Sequence, residues 1–374
     1  MTLTTVSRRN PPFRAEQVGS FLRPAWLLEA RAQHRAGTLD AAGLRAVEDR
    51  AIAELVTFQE SLGLQVITDG ELRRRHFHTD FLLQLDGIEE QGGLPTRFHK
   101  STGDVDFAPP VMVVNGRVVH TRGIEVDNYR YLQSLTQHIV KVTIPSPTML
   151  HFRGGREGIS KATYPDLQPF FDDVATAYQQ EIRQLADAGL RYLQLDDTNL
   201  AYLCDPVQRQ RAVVRGENPD DLPRQYARFI NAALAGRPAD MATGIHLCRG
   251  NYRSSWAAEG GYEPVAEVLF NELDVDAFFL EYDDERSGDF SPLRHVPKGK
   301  TVVLGLVTTK LGELETADSV KRRIDEAAQY CPLDQLALSP QCGFASTEHG
   351  NDVSFAQQAA KMQLVIDVAR DVWG

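Results

Sequence analysis

The stretch ATGIHLCRGN, residues 242–251, is the segment on which the reading of the fold turns. Its short apolar run, closed by Gly250, has the length and composition of a buried strand. It ends with His246 and Cys248 two positions apart. Side chains at i and i+2 of a strand share a face, so the imidazole and the thiol project together while Ile245 and Leu247 point the other way. Two borderline-to-soft ligands on one face suggest half of a metal site, provided that the rest of the chain supplies partners. The competing reading is ordinary core, because His and Cys are also common buried residues.

Working outward, similar apolar runs recur along the chain. They are AEQVGSF (15–21), LQVITDGE (64–71), VKVTIPSPTML (140–150) and GLRYLQLDD (189–197) before the opening segment. VDAFFLEYDD (275–284), TVVLGLVTT (301–309) and LDQLALSPQCGF (333–344) follow it. Between them lie amphipathic stretches such as LDAAGLRAVEDRAIAELVTFQESLG and LQPFFDDVATAYQQEIRQLADAG, the latter closed by the helix-stop residue Gly189. Eight strands alternating with helices predict an α/β protein, specifically a (β/α)8 TIM barrel in one domain spanning 1–374. A six-strand doubly wound sheet is the alternative, and the lack of GxGxxG after the first strand counts against it. Residues 97–123 break the rhythm: the Asn115-Gly116 pair between β-rich runs predicts a β-hairpin inserted between the second and third units, as a lid or an interface element. Residues 1–13 are expected to be a flexible lead-in.

Bulk properties narrow the function. A formal net charge of -11 over 374 residues argues against nucleic acid or an anionic membrane surface as partner. No apolar run approaches the roughly 18 residues of a membrane span, and the N-terminus lacks the apolar core of a signal peptide. Four cysteines in so long a chain do not make a disulfide framework, which points to a reducing cytoplasm. Oligomeric state is not legible.

In barrels of this kind the reacting groups sit at the C-terminal ends of the strands. The polar residues there are Gly19-Ser20, Asp69-Gly70-Glu71, Asp196-Asp197, His246-x-Cys248, Glu281-Tyr282-Asp283-Asp284 and Gln341-Cys342-Gly343. One His, two Cys and one Glu from three different strands make a complete set for tetrahedral Zn2+. Each has a bland alternative: Glu281 as a helix cap, Cys342 as a small core residue. Cys204 and Cys331 lie away from strand ends and read as structural. Tyr282 and Asp283, beside the glutamate, either order the site or start the next helix.

With these residues in place, the chain resembles the catalytic C-terminal barrel of cobalamin-independent methionine synthase, and more closely the short single-barrel bacterial members of that family. H-x-C at 246–248, the glutamate in FFLEYDDERSGDF and the cysteine in LSPQCGFAS carry the resemblance, which covers nearly the whole chain. It implies that His246, Cys248, Glu281 and Cys342 bind zinc. It also implies that Gly19-Ser20 hold the carboxylate of homocysteine, and that Glu71 and Asp196 grip its ammonium group. The implied reaction is methyl transfer to the homocysteine thiol to form methionine, with methyl-tetrahydrofolate as one donor. Glu281, the hardest and least matched ligand, is expected to loosen when substrate sulfur enters.

The chain also departs from the family pattern. The D-E-P motif reads Asp196-Asp197-Thr198. Thr308, Thr309 and Lys310 stand after the seventh strand, where the large enzymes place a histidine thought to protonate the departing folate. Phe152 aligns loosely with the tryptophan that stacks on the pterin, and the N-terminal barrel of the large enzymes has no counterpart. A different donor, such as a methylated corrinoid or a small methylated metabolite, would ease the need for an acid; His76, His78 and His151 are the candidates for that acid. Two further readings keep the zinc: a thiol-cofactor transferase that opens epoxides, which the acidic pair Glu71 and Asp196 disfavours, and a non-catalytic zinc-binding barrel.

Overall fold

A computed structural model describes residues 10–374 except 94, 101 and 102. The strands in chain order are β1 (Val66–Ile67), β2 (Asp86–Gly93), β3 (Thr96–Phe98), β4 (Val105–Phe107), β5 (Pro110–Val119), β6 (Ile139–Val140), β7 (Val142–Pro145), β8 (Tyr192–Asp197), β9 (Ala242–Leu247), β10 (Ala277–Glu281), β11 (Thr301–Val307) and β12 (Leu336–Pro340). Six form one parallel sheet in the order β12-β11-β10-β9-β8-β7, and β1 pairs in parallel with β6. The seam between β12 and the first strand position closes through a parallel bridge of Ala15 to Leu338, with the Glu16 amide donating to the Leu338 carbonyl at 2.8 Å. The Phe21 amide then donates to the Gly70 carbonyl at 3.1 Å, completing the ring of a (β/α)8 barrel.

The helices between strands follow from local chemistry. Ala41–Leu62 starts where the Asp40 carboxylate accepts from the Gly43 amide, and stops at Gly63 in the left-handed region at φ 85°. Leu167–Asp187 buries one apolar stripe against the barrel and ends just ahead of Gly189, at φ 112°. Ser354 and Gln357 form a reciprocal capping box for Phe355–Trp373.

The five strands β8 to β12 fall inside their predicted segments, whereas the first three predicted strands shrink. Residues 15–21 keep one bridge because Gly19 turns to φ 151°, and 140–150 breaks at Pro145 and Pro147, passing into a 3-10 turn over Pro147–Leu150. The insertion also differs from expectation. It runs over 86–119, with β2 antiparallel to β5 and the smaller pair β3/β4 nested at its tip. Asn115-Gly116 is no turn; it lies within β5, opposite a register shift at Gly87. Gly87 sits at φ 83°, where any side chain would run into the Arg117 carbonyl, so the bulge belongs to that glycine.

Inside the barrel, Tyr192, Ala277, Phe279, Val303 and Ala337 form an apolar layer closed from below by Phe13. Residues 1–9 of the expected lead-in lie outside the described residues, and Phe13 itself is buried. Within this floor a fully buried Lys141–Glu16 pair stands at 3.2 Å. Glu16 also accepts from the Phe13 amide at 2.9 Å and the Tyr192 hydroxyl at 3.0 Å, and Lys141 also donates to the Gln17 carbonyl. Among the described residues, no helix is long and apolar enough to cross a membrane.

Candidate active site

Strand register places the upper side chains. Asp196 on β8 pairs across to His246 on β9, and His246 to Phe279 on β10, so all three share the inward face. One step further along, Cys248 leaves β9 and Glu281 ends β10, while Cys342 comes from the turn after β12. The structure brings the donor atoms of His246, Cys248, Glu281 and Cys342 within 4.8 Å of one another, all four residues buried. The two sulfurs are 3.5 Å apart and unbonded. Two thiolates on one tetrahedral zinc, at about 2.3 Å each, would stand roughly 3.8 Å apart, so the pair needs little adjustment to share an ion.

The protein alone leaves this cluster unsatisfied. Neither ring nitrogen of His246 meets a hydrogen-bond partner, a costly state for a buried imidazole. The Cys342 thiol is held well below its ordinary range by the hydrogen bond from Cys248, whose own thiol that bond and burial push well above it. Burial raises Glu281. Burial opposes a charged His246, whereas the charge of the nearby Cys342 sulfur favours one, although no hydrogen bond of ordinary geometry joins the two. Four buried donors packed this closely, one of them an imidazole without a partner, are what a divalent cation would satisfy at once, so the donor set fits a metal. Glu281 has further partners: Oε1 accepts from the Arg249 amide at 3.0 Å, and Oε2 lies 3.4 Å from the Arg286 guanidinium. Arg286 is itself held by Asp283 at 2.6 Å, which gives Asp283 its role beside the site. The buried Lys310 ammonium, at the end of the seventh strand, donates to the Gly250 carbonyl at 3.5 Å.

A cleft opens above the metal donors and takes in Ser20, Glu71 and Asp196. Glu71 is buried and sits at φ 56°, in the left-handed region, with its amide donating to Asp69 at 2.9 Å and its carbonyl accepting from Arg23 at 2.7 Å. Its carboxylate accepts from Thr143 at 3.2 Å and faces Arg74 at 3.7 Å. Burial, against the pull of Arg74 and with Asp196 nearby, raises it to about 7. Asp196 accepts from Gln194 at 2.8 Å and is raised by burial to about 6. A side chain at Gly19 would strike the Glu71 carboxylate at 2.8 Å, so glycine there lets the acid lie against the first strand. The Ser20 hydroxyl accepts from the Ala345 amide at 3.2 Å. Asp197 caps the turn that follows: it accepts from the Leu200 amide at 2.8 Å and from Thr148.

Residues 13–370 match the family model described as cobalamin-independent synthase, catalytic domain. The chain belongs to this family. It is 46% identical to the Bacillus subtilis protein YxjG, described as uncharacterized, over 99% of this chain and 97% of that one. It is 25% identical to the methionine synthase of Pyrococcus abyssi, over 87% and 84% of the two chains. A solved Listeria monocytogenes structure, assigned provisionally to the vitamin-B12 independent methionine synthases, superposes with a TM-score of 0.78 at 37% identity, covering 98% of this chain and all of the other. Family and structural likeness together support methyl transfer of the methionine synthase type.

Other expected residues fall outside the cleft. Phe152 is not among the residues lining it; it packs edge-on to Tyr202 and Tyr226, under the Arg215 guanidinium. His151 is likewise tied down, to the Tyr226 hydroxyl at 2.9 Å and toward Glu217 at 3.5 Å. His76 and His78 do line the cleft. Burial, reinforced by Arg75 and Arg153 respectively, drives His76 to about 4 and His78 well below its usual range, so both rings are neutral at pH 7. Sequence reasoning gave no role to Phe107 or Pro109, which together with Tyr252 of the stretch RGNYRSSW (249–256) roof the cleft. Phe107, at the end of β4, stacks on Tyr252 at 3.9 Å and 5°. The inserted tip is further bound to the rim by paired His99–Trp256 backbone hydrogen bonds of 2.6 and 2.9 Å and by the Lys100–Asp352 ion pair.

Proposed function

We propose that this protein transfers a methyl group to the thiol of homocysteine, forming methionine, with zinc held by His246, Cys248, Glu281 and Cys342. The observation that carries the reading is the buried four-donor cluster, with an orphaned imidazole, opening into a cleft lined by the carboxylates of Glu71, Asp196 and Asp197. When bound, the metal supplies the Lewis acidity that leaves a thiol deprotonated near neutral pH.

The chain's own residues do the rest. Glu71 and Asp196 receive the ammonium group of the amino acid, whose charge offsets the burial cost that raises both acids. Gly19 and Ser20 hold the carboxylate end. Arg74 and Thr143 fix the Glu71 carboxylate, and Gln194 fixes Asp196, so the substrate sulfur is positioned over the thiolate side of the cleft before the methyl donor arrives. Arg249 and Arg286 keep Glu281 oriented.

The test is to measure bound zinc and homocysteine binding in one preparation. The expected result is one zinc per chain and a homocysteine affinity that Cys342→Ser abolishes along with the metal. Full zinc occupancy in that variant, or homocysteine binding indifferent to metal removal, would overturn the assignment.

A further inference from the structure

We infer that the methyl donor is a small onium compound, a methylated sulfonium or quaternary ammonium, seated against Phe107 and Tyr252 and anchored by Arg153 when it carries a carboxylate. This inference rests on the methyl-transfer reading above and names the second substrate of that site.

Three observations carry it. The first is size. Under the docked insertion the cleft is open to solvent, with about 670 Å³ of empty space, of which only about 60 Å³ can take the centre of a water molecule. The tip, held at His99 and Lys100, narrows the way in beneath Phe107 and Pro109, which favours a small donor over a pterin or corrin ring.

The second is the wall chemistry. Phe77, Phe107, Tyr202 and Tyr252 all line the cleft, and its charged groups besides the metal donors include Glu71, Asp196 and Asp197 against Arg153. Aromatic faces of this kind form the cage that recognises a methylated cation. Arg153 has one guanidinium nitrogen engaged with the Pro110 carbonyl and His78 Nε2, both at 3.3 Å, and borders the same cavity, where it suits a carboxylate on the donor.

The third is the leaving group. A neutral N-methyl donor needs a proton on its departing nitrogen. Apart from the metal donor His246, the imidazoles lining the cleft are His76 and His78, both neutral at pH 7, and Lys310, which donates to the Gly250 carbonyl, is not among the lining residues. An onium donor removes the requirement. The thiolate lone pair forms the new S–CH3 bond as the methyl–onium bond breaks. The bonding pair returns to the onium sulfur or nitrogen, which departs as a neutral sulfide or tertiary amine. The proton of the homocysteine thiol has already left to solvent on binding, so atoms and charge balance without an acid.

The experiment presents the zinc-loaded enzyme and homocysteine with trimethylsulfonium, dimethylsulfoniopropionate, glycine betaine and 5-methyltetrahydrofolate in separate arms. Methionine formation is followed, and homocysteine binding is measured separately by calorimetry. The expected result is methionine from at least one onium arm. Phe107→Leu and Tyr252→Leu should each raise the KM for that donor about tenfold, in line with a lost cation–π contact, with the homocysteine Kd unchanged. Arg153→Gln should raise the KM for dimethylsulfoniopropionate but not for trimethylsulfonium. Turnover on 5-methyltetrahydrofolate alone, turnover on no donor despite homocysteine binding, or onium turnover indifferent to both aromatic replacements would overturn the inference. Failure to bind homocysteine at all would overturn the methyl-transfer reading beneath it.

Discussion

The two ends of the barrel interior treat buried charge in opposite ways. At the floor, Lys141 and Glu16 are fully buried, and every part of the pair is answered: by each other, by the Phe13 amide, by the Tyr192 hydroxyl and by the Gln17 carbonyl. At the rim, His246 keeps two orphaned nitrogens, two sulfurs share protons at 3.5 Å, and Glu71 and Asp196 are raised by burial. The same lumen builds both, so the fold is capable of satisfying polar groups and leaves those at one end open. Buried charge that is paired is structure; buried charge left waiting marks the place where something else must bind.

The contrast can be broken from either end. The largest effect is expected from His246→Ala or Cys342→Ser, which should remove the metal and reduce methyl transfer by at least about a thousandfold, several kcal/mol of barrier. Metal analysis and turnover check this together, and a chelator should reproduce the loss on the unaltered enzyme until zinc is restored. At the floor, Lys141→Met leaves Glu16 buried without its cation and should cost about 3–5 kcal/mol of stability. Thermal denaturation reads that cost, while activity per folded molecule should stay near normal. A variant that melts normally would show that the floor pair is not what holds the lower barrel.

Glu71→Gln should weaken homocysteine binding by about 1.5–3 kcal/mol, the value of a charge-assisted hydrogen bond. Because Glu71 titrates near 7 when folded, against 4.5 for a freely solvated glutamate, the native protein holds a proton that the unfolded chain releases between those values. Stability of the substrate-free protein should therefore decline as pH rises from about 4.5 to about 7, and Glu71→Gln should flatten that decline. Homocysteine affinity should run the other way, falling as pH drops below about 7, because the ammonium group needs the ionised acid. An affinity flat from pH 6 to 8 would remove Glu71 from the ammonium seat. The smallest effect is expected at Cys331→Ala and Cys204→Ala, each costing about 1 kcal/mol of stability and no zinc, since both thiols are buried away from the cluster and burial pushes both up to about 11.

Legibility in the sequence followed locality. The strands β8 to β12 are unbroken β-branched and aromatic runs, so periodicity found them, and His246, Cys248, Glu281 and Cys342 were legible because barrel chemistry gathers at strand ends. The first strands were over-read because backbone needs override propensity there. Gly19 turns away to admit the Glu71 carboxylate, and two prolines end the strand after Ile144. Asn115-Gly116 carried a turn signal that long-range pairing with 86–93 overruled. The pairing within the roof was not legible, because the Phe107–Tyr252 stack joins residues far apart in sequence, with no spacing to mark it. Phe152 drew attention by alignment, yet three aromatic and cationic neighbours already occupy it.

Glu281 differs from its three companions in having somewhere else to rest. The Arg249 amide and the Arg286 guanidinium already cradle its oxygens, so letting go of an ion strands no charge. His246 has no such refuge. A metal held here would therefore have one ligand, Glu281, that the protein can keep satisfied on release, and one, His246, that it cannot.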